Sequence, residues 1–382
     1  MNFQPAPYYY TPPPDPYQDQ IDRLQRELLG LFTVRFVEKH HNRKGITFGG
    51  EFLGDVQASF EELRERFAAL GYTLLLRRRK KDDLVVALEG NARRAGAGNP
   101  LLNLLLLLAT IFTTLAAGAS LGGVNVWGMV LAGQWSRVMD AAQTGVPFAG
   151  SLLAILGVHE LGHYVAARWH GVTATLPYFI PFPFSGLGTL GAFISLRSAM
   201  KDRRVLFDIG IAGPLAGFVV AVPILLLGLS LSPVVPLRTR SLLNLDFAGT
   251  SILLEFVIGL LKPLSQNQTL LMHPVFFAAW IGMLITGINL LPVGQLDGGH
   301  IAYALIGRHA YILALIFFGG LIAAGFILSP NWLVWAFFVM FGGLRHPPPS
   351  NDITGLDWPR RLLGLGSIVL FIIVVIPAPF GS

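Results

Sequence analysis

Cysteine is absent from this chain of 382 residues. That excludes disulfides and thiolate metal sites, so a tightly held metal must use His, Asp or Glu. Charge is scarce: 13% of residues are Asp, Glu, Lys or Arg, 53% are hydrophobic, and mean hydropathy is +0.58. These values exclude an ordinary soluble domain and point to repeated apolar runs of about 20 residues that cross a bilayer. Basic stripes interleaved with aromatics are missing outside Leu74–Asp83, "LLLRRRKKDD", which fits a solvated turn. The net charge of +6 therefore speaks for membrane topology, and no nucleic-acid partner is expected. The N-terminus lacks the charged, apolar and small-residue order of a signal peptide. It also lacks a transit-like start, so a cell-membrane location is expected rather than a chloroplast one.

The charge that is present is unevenly spread. Residues 1–99 hold 15 of the 28 Lys and Arg and 13 of the 22 Asp and Glu. Residues 1–20, "MNFQPAPYYYTPPPDPYQDQ", read as a disordered Pro/Tyr-rich tail. Residues 21–95 read as a small α+β domain of ββαββ order. A short helix is expected over Ile21–Leu31, then strands in "LFTVRFVEKH" and "KGITFGGEFLG". The helix "SFEELRERFAAL" has Ser59 as expected cap and Glu62 as its capping-box partner. A hairpin is expected across Lys80–Asp83.

After the linker "AGAGNP", residues 100–380 read as a polytopic α-helical membrane domain with its core over 100–345. About seven spans are expected from runs of near-spanning length. They are Leu101–Leu121, Val146–Arg168, Val205–Leu231, Pro274–Leu296, Tyr311–Leu328, Asn331–Leu344 and Leu362–Ile376. Thr250–Leu261 is apolar but too short, and reads as interfacial. With the N-terminal domain in the cytoplasm, nine Lys and Arg fall in cytoplasmic connections, among them Lys201 and Arg308, and four opposite: Arg137, Arg238, Arg240 and Lys262. This agrees with the positive-inside rule and makes the second and fourth spans parallel.

The chemistry is concentrated in "GVHELGHYVAARWHG", Gly157–Gly171. His159 and His163 are four apart, so on a helix they share one face and can aim two imidazoles at one ion. Glu160, next to the first ligand, is placed to take a proton from water. Apolar flanks on both sides argue against a solvated helix carrying unrelated histidines. Catalytic zinc takes three protein ligands, and acids at membrane depth are few. Asp297 lies in "NLLPVGQLDGGH", Asn289–His300, where Pro292 and several glycines loosen the helix. It is the favoured third ligand, with His300 the rival. Asp208 is expected to pair with Arg203 or Arg204. In parallel spans, Asp297 and His163 both lie toward the cytoplasmic end.

HELGH on one span, with Asn289, Pro292, Asp297 and Gly298 on a later one, resembles the site-2 protease family of intramembrane zinc metalloproteases. The similarity covers roughly residues 100–345 and includes "GIAGPLAG", Gly210–Gly217, read as a helix-packing segment without chemistry. "GNAR", Gly90–Arg93, is similar to a Gly-Asn-Leu-Arg element of the cyanobacterial and chloroplast branch. The resemblance implies one Zn2+ per chain held by His159, His163 and Asp297. It implies Glu160 as the base that takes a proton from water and returns it to the leaving amine. Asn289 would bind substrate backbone or the tetrahedral intermediate, or else cap the helix break. The substrate would be a membrane protein cut in or next to its own span. The segment Leu176–Leu196 cannot be regular helix through Pro177, Pro181 and Pro183. It reads as a re-entrant β-hairpin whose edge, Thr189–Ile194, could bind an extended substrate.

Two other readings are a metal-binding transporter or channel and a non-cleaving relative that binds membrane proteins. The first predicts internal repeats, which the chain does not display, and leaves Glu160 without a task. The second does not need an intact His, Glu and Asp set.

Overall fold

The computed structural model describes residues 16–40, 45–90, 98–239 and 249–377. The Pro/Tyr-rich tail through residue 15, Asn91–Arg93 of the Gly-Asn-Ala-Arg element, residues 95–97 of the linker and Arg240 lie outside the described residues. The chain divides into two units, Met1–Ala92 with Ser350–Thr354, and Arg93–Pro349 with Gly355–Ser382.

The first unit runs α1 (Pro16–Glu27), β1 (Phe32–His40), β2 (Gly45–Phe52), α2 (Val56–Ala69), β3 (Tyr72–Arg79) and β4 (Asp82–Glu89). The four strands form one antiparallel sheet in the order β1-β2-β4-β3. Strand alternation sends Leu74, Leu76, Val85 and Ala87 inward, against Phe60, Leu63 and Phe67 of α2. The α2 cap differs from expectation. Asp55 is the N-cap, its Oδ1 accepting from the Ala58 N–H at 2.8 Å, and Ser59 is buried within the helix. Asp serves as well as Ser at this position, and starting at Val56 gains a turn. Ser350–Thr354 extends the sheet at β3: Leu76 donates to the Ser350 carbonyl at 2.7 Å and accepts from Asp352 at 3.2 Å. This late segment lies far outside residues 21–95, over which the small domain was expected.

The second unit is mostly helical. Its elements are α3 (Pro100–Leu121), α4 (Val126–Leu131), α5 (Trp135–Thr144), α6 (Val146–Trp169), β5 (Tyr178–Pro181), β6 (Thr189–Phe193), α7 (Arg203–Leu231), β7 (Val234–Pro236), α8 (Ile252–Leu261), β8 (Gln268–Leu270), α9 (Pro274–Asn289), α10 (Asp297–Ile306), a 3-10 turn (Gly307–His309), α11 (Ala310–Ile327), α12 (Trp332–Gly342) and α13 (Trp358–Val374). Burial in α3 is inside out. Leu101, Leu104, Leu105 and Leu108 are exposed, while Thr110, Thr113, Thr114, Ala116 and Gly118 are buried. Large apolar groups outside and small or hydroxyl groups at helix contacts is the pattern expected in lipid.

Among the described residues, three helices are long and apolar enough to cross a membrane: Pro100–Leu121, Arg203–Leu231 and the run Asp297–Ile327. The pair α5 and α6, bent by 65°, makes four if taken as one span. The chain is thus a membrane protein with three to four candidate spans among the described residues, where seven were expected from apolar runs. The difference lies in length: α9 has 16 residues, α12 has 11 and α13 has 17, each short of the roughly 20 needed. The expected span Pro274–Leu296 also divides differently. Helix α9 stops at Asn289, and Asp297 begins the next helix.

Helix α6 packs against α3, α7 and α9. Its direction relative to α9 can be followed residue by residue. Phe148 stacks on Phe277, Ile155 meets Gly282, and His159 meets Asn289. Both numbers rise together, so the two helices are parallel. Along α7, His163 meets Gly213 and His159 meets Gly217, so α7 is antiparallel to α6. The β5–β6 hairpin is tied to α3: Asn103 Nδ2 donates to the Leu176 and Pro177 carbonyls, each at 2.9 Å, and Thr113 Oγ1 to Gly188 at 2.6 Å.

Candidate metal centre

The helical period puts His159 and His163 one turn apart on the buried face of α6, 4% and 6% exposed. Their rings lie 4.8 Å apart, edge to face. Burial of two imidazoles needs compensation, and α7 supplies part of it. The Ile209 carbonyl lies 2.7 Å from His163 Nδ1. A carbonyl only accepts, so Nδ1 carries the proton and Nε2 presents a lone pair. This outer hydrogen bond fixes tautomer and ring orientation in the way usual for histidine ligands.

Glycines make the approach possible. A Cβ on Gly213 would lie 2.0 Å from His163 Nε2, and one on Gly217 would lie 3.2 Å from His159 Nδ1. Their four-residue spacing matches that of the two histidines. The segment Gly210–Gly217 was read from sequence as packing without chemistry. It packs, but what it packs against is the imidazole pair. The matched spacing was the available signal.

The third side chain comes from the break after α9. Pro292 has no N–H to donate and disfavours helix at the residue before it. The chain turns through Gly294 at φ +53° and restarts as α10 with Leu296 as N-cap and Asp297 in the first turn. A carboxylate there is favoured by the helix dipole. Gly298 lets the new helix close on the old chain, since a Cβ would come within 2.0 Å of the Leu290 carbonyl oxygen.

These three elements bring His159, His163 and Asp297 together. The two Nε2 atoms are 3.2 Å apart. His159 Nε2 lies 3.3 Å from Asp297 Oδ2, and His163 Nε2 lies 3.3 Å from Asp297 Oδ1. Zinc with ligands near 2.0–2.1 Å in tetrahedral geometry requires ligand separations of about 3.3 Å. Each separation is close to one edge of a zinc coordination face, with the two imidazoles approaching different oxygens of the carboxylate, and two neutral imidazoles with one carboxylate is a catalytic-zinc donor set. It is the only group of His, Cys, Asp and Glu with such convergence among the described residues.

A cavity of about 210 Å³ opens on this face, lined by Glu160, Ala192–Ile194, Asn289, Gln295 and His300 as well as the three ligand candidates. Glu160 is 7% exposed, and the Ile194 main chain lies against its carboxylate. Asn289 Nδ2 is 3.2 Å from His159 Nε2. His300 lines the cavity without joining the triangle; its Nδ1 is 2.6 Å from His346 Nε2. Asp208 is corrected. Its partners are Arg360, at 2.7 Å to both oxygens, and His170 at 2.9 Å. Arg203 lies instead over the Tyr303 ring. Asp208 is a full turn into α7, and α13 brings Arg360 to it across the fold. The hairpin expected within Leu176–Leu196 is present, with β6 over Thr189–Phe193 paired only to β5 among the described residues.

Residues 147–328 match the model of peptidase family M50. Among curated proteins, the chain is 32% identical over 250 residues to the probable zinc metalloprotease EGY2, chloroplastic, of Arabidopsis thaliana, covering 63% of this chain and 43% of that one. It is 28% identical over 383 residues to the protein of the same description from Oryza sativa subsp. indica, covering 94% and 66%. With the probable zinc metalloprotease EGY1, chloroplastic, of Oryza sativa subsp. japonica it shares 31% over 256 residues, covering 63% and 42%. The chain thus spans from under half to about two thirds of the length of these relatives. No solved structure matches it significantly.

Proposed function

We propose that this chain, whose residues 147–328 match the model of peptidase family M50, is an intramembrane zinc metalloprotease of the site-2 protease type. It hydrolyses peptide bonds in or next to the transmembrane segments of other membrane proteins. The observation that carries this reading is the convergence of His159, His163 and Asp297 inside a bundle of apolar helices, the two Nε2 atoms 3.2 Å apart and each 3.3 Å from a different oxygen of the carboxylate. The relatives' description as probable zinc metalloproteases supports it.

Bound Zn2+ would supply a Lewis acid that makes water acidic and polarises the scissile carbonyl. His159 and His163 offer Nε2, the latter oriented by the Ile209 carbonyl, and Asp297 offers its carboxylate. Glu160 takes the proton from the attacking water and delivers it to the amine nitrogen as the C–N bond breaks. Asn289, whose amide nitrogen faces the same point, hydrogen-bonds the substrate backbone. A peptide bond inside a helix is shielded by its own hydrogen bonds, so the substrate must be extended. The outer edge of β6, continued to Ile194, offers strand addition beside the cavity. A transporter would have no use for Glu160, which stands outside the ligand triangle but on its cavity.

The protein would be multi-pass in a cell membrane, with the N-terminal unit and the metal centre toward the cytoplasm. In a plastid, the compartment in the relatives' names, the equivalent side is the stroma. The support is the Lys and Arg bias of the connections.

Glu160→Gln tests the mechanism. It should retain zinc and lower cleavage of a membrane substrate by about 10²-fold or more, the usual range for a lost general base. Undiminished cleavage with zinc bound would remove Glu160 from the mechanism. Comparing the membrane proteome of this variant with wild type would reveal the substrates as uncut proteins.

A further inference from the structure

A second cavity, of about 350 Å³, lies between α10, α11 and α13 and shares no lining residue with the metal cavity. Proteolysis gives it no task. We propose that it holds one acyl chain of an anionic phospholipid, whose headgroup rests on Arg361 and Arg308.

The walls include Ile301, Ala302 and Leu305 of α10, Leu313 of α11, and Ile368 and Phe371 of α13. The one polar side chain among them, Ser367, donates to the Gly364 carbonyl of its own helix at 2.7 Å, so it asks nothing of an occupant. The rim is apolar too: Ile306, Leu313, Ile368 and Ile372 are exposed. Such a recess offers water no partners, and in a bilayer it opens onto hydrocarbon. A two-turn length of helix about 10 Å across fills about 850 Å³, more than twice the cavity, so a polypeptide helix does not fit inside. A single acyl chain does.

The start of α13 sets the headgroup level. Trp358 and Arg361 are exposed, and so are Leu362, Leu363 and Leu365 after them. Exposed Trp and Arg followed by exposed leucines mark where a helix passes from headgroups into acyl chains. Arg360 is held by Asp208 and Asp357. Arg361 gives Nε to the Leu356 carbonyl at 3.0 Å, and its terminal nitrogens have no partner among the described residues. It stands two turns before Ile368 on the same face, about 10 Å away at 1.5 Å per residue. Arg308 flanks the same end from α10. A Cβ at Gly364 would lie 2.9 Å from Leu305, so α13 meets the end of α10 near its own start. At its far end α13 reaches Gly287, where a Cβ would lie 3.6 Å from Val375, near the break from which α10 sets out. The two helices are thus antiparallel, and Arg308, three residues after Leu305, comes level with Arg361, three before Gly364. Arg308 is exposed and has no ion pair among the described residues. Two arginines above one apolar recess match a negatively charged headgroup above its acyl chain. Gly298 and Pro292 also line the cavity, so the occupant backs the turn that presents Asp297.

The test uses the full chain in phosphatidylcholine vesicles with a trace of one of two probes, phosphatidylglycerol or phosphatidylcholine, each with a photoreactive diazirine in mid-chain. Peptide mapping after irradiation reads where the acyl chain lies. The phosphatidylglycerol probe should label Ile301–Ile306 and Ile368–Ile372 about 25-fold more than the phosphatidylcholine probe does, from about fivefold for each arginine at an anionic headgroup. Arg308→Gln and Arg361→Gln should each lose about fivefold of that preference, and the double variant all of it. Ile368→Trp, which narrows the mouth, should lower labelling by both probes. Label on Leu104, Leu105 and Leu108, the exposed flank of α3, should be equal for both probes and the same in every variant, which shows that each is folded and inserted. Equal labelling of the cavity by the two probes in wild type, a preference that survives in the double variant, or phosphatidylglycerol label no denser in the cavity than on α3 would each overturn the inference. So would a cavity labelled by neither probe, which would leave it to side chains of a protein partner. No readout involves cleavage, so failure of the proteolytic reading leaves this result standing.

Discussion

Gly213 of α7 lies directly against the ring of His163 on α6: a Cβ there would sit 2.0 Å from Nε2, the atom that would be offered to a metal. Two helices can hold an imidazole between them this closely only if one contributes no side chain. Gly213→Ala should therefore displace the His163 ring and weaken zinc affinity by about 10–100-fold, as loss of outer-shell support does. Gly217→Ala, where the approach to His159 is 3.2 Å, should be milder. Zinc content of purified, folded protein checks both, and full zinc retention in Gly213→Ala would contradict the geometry.

The proposed ligand set predicts which acidic and imidazole side chains zinc binding depends on. His159→Ala, His163→Ala and Asp297→Ala should each abolish stable zinc binding, because two remaining ligands are too few for a catalytic site. Asp208→Asn should leave zinc in place, since that carboxylate serves Arg360 and His170. A chelator should stop cleavage and added zinc should restore it. Metal analysis that finds Asp297→Ala fully loaded would move the third ligand elsewhere.

The edge of β6 predicts where substrate lies. Phe193 is half-exposed and lines the cavity. A photo-crosslinking residue at Phe193 in the Glu160→Gln background should capture a membrane substrate. The same residue at Phe256, exposed on α8, should not. Equal capture at both sites would remove the hairpin from substrate binding.

The charge bias predicts which way the membrane domain faces. A cysteine placed at Arg238 should react with an impermeant thiol reagent applied from the side opposite the N-terminal unit, and one at Lys201 should not. The chain has no cysteine of its own, so the labelling is unambiguous. Reversed labelling would invert the orientation argued from Lys and Arg.

What could be read from the sequence was set by local physics. The spacing of His159 and His163 dictates a shared helix face, because 3.6 residues per turn holds wherever the helix is placed. Low charge and long apolar runs dictate a bilayer, because composition alone sets transfer energy. Pro177, Pro181 and Pro183 exclude helix and left a hairpin, because proline lacks the N–H that a helix requires. What remained depended on which surfaces meet. That Asp297 rather than His300 joins the two histidines was favoured but not fixed, since the break at Pro292 leaves the restart of the helix undetermined. It is decided by Gly298 seating α10 on the Leu290 carbonyl. The partner of Asp208 was sought among neighbours in the chain and is Arg360, brought by α13 from 152 residues away. The glycines of α7 acquired a role only when the antiparallel pairing with α6 aligned Gly213 with His163 and Gly217 with His159. Periodicity and composition are properties of a segment, whereas the completion of this metal centre is a property of packing between segments.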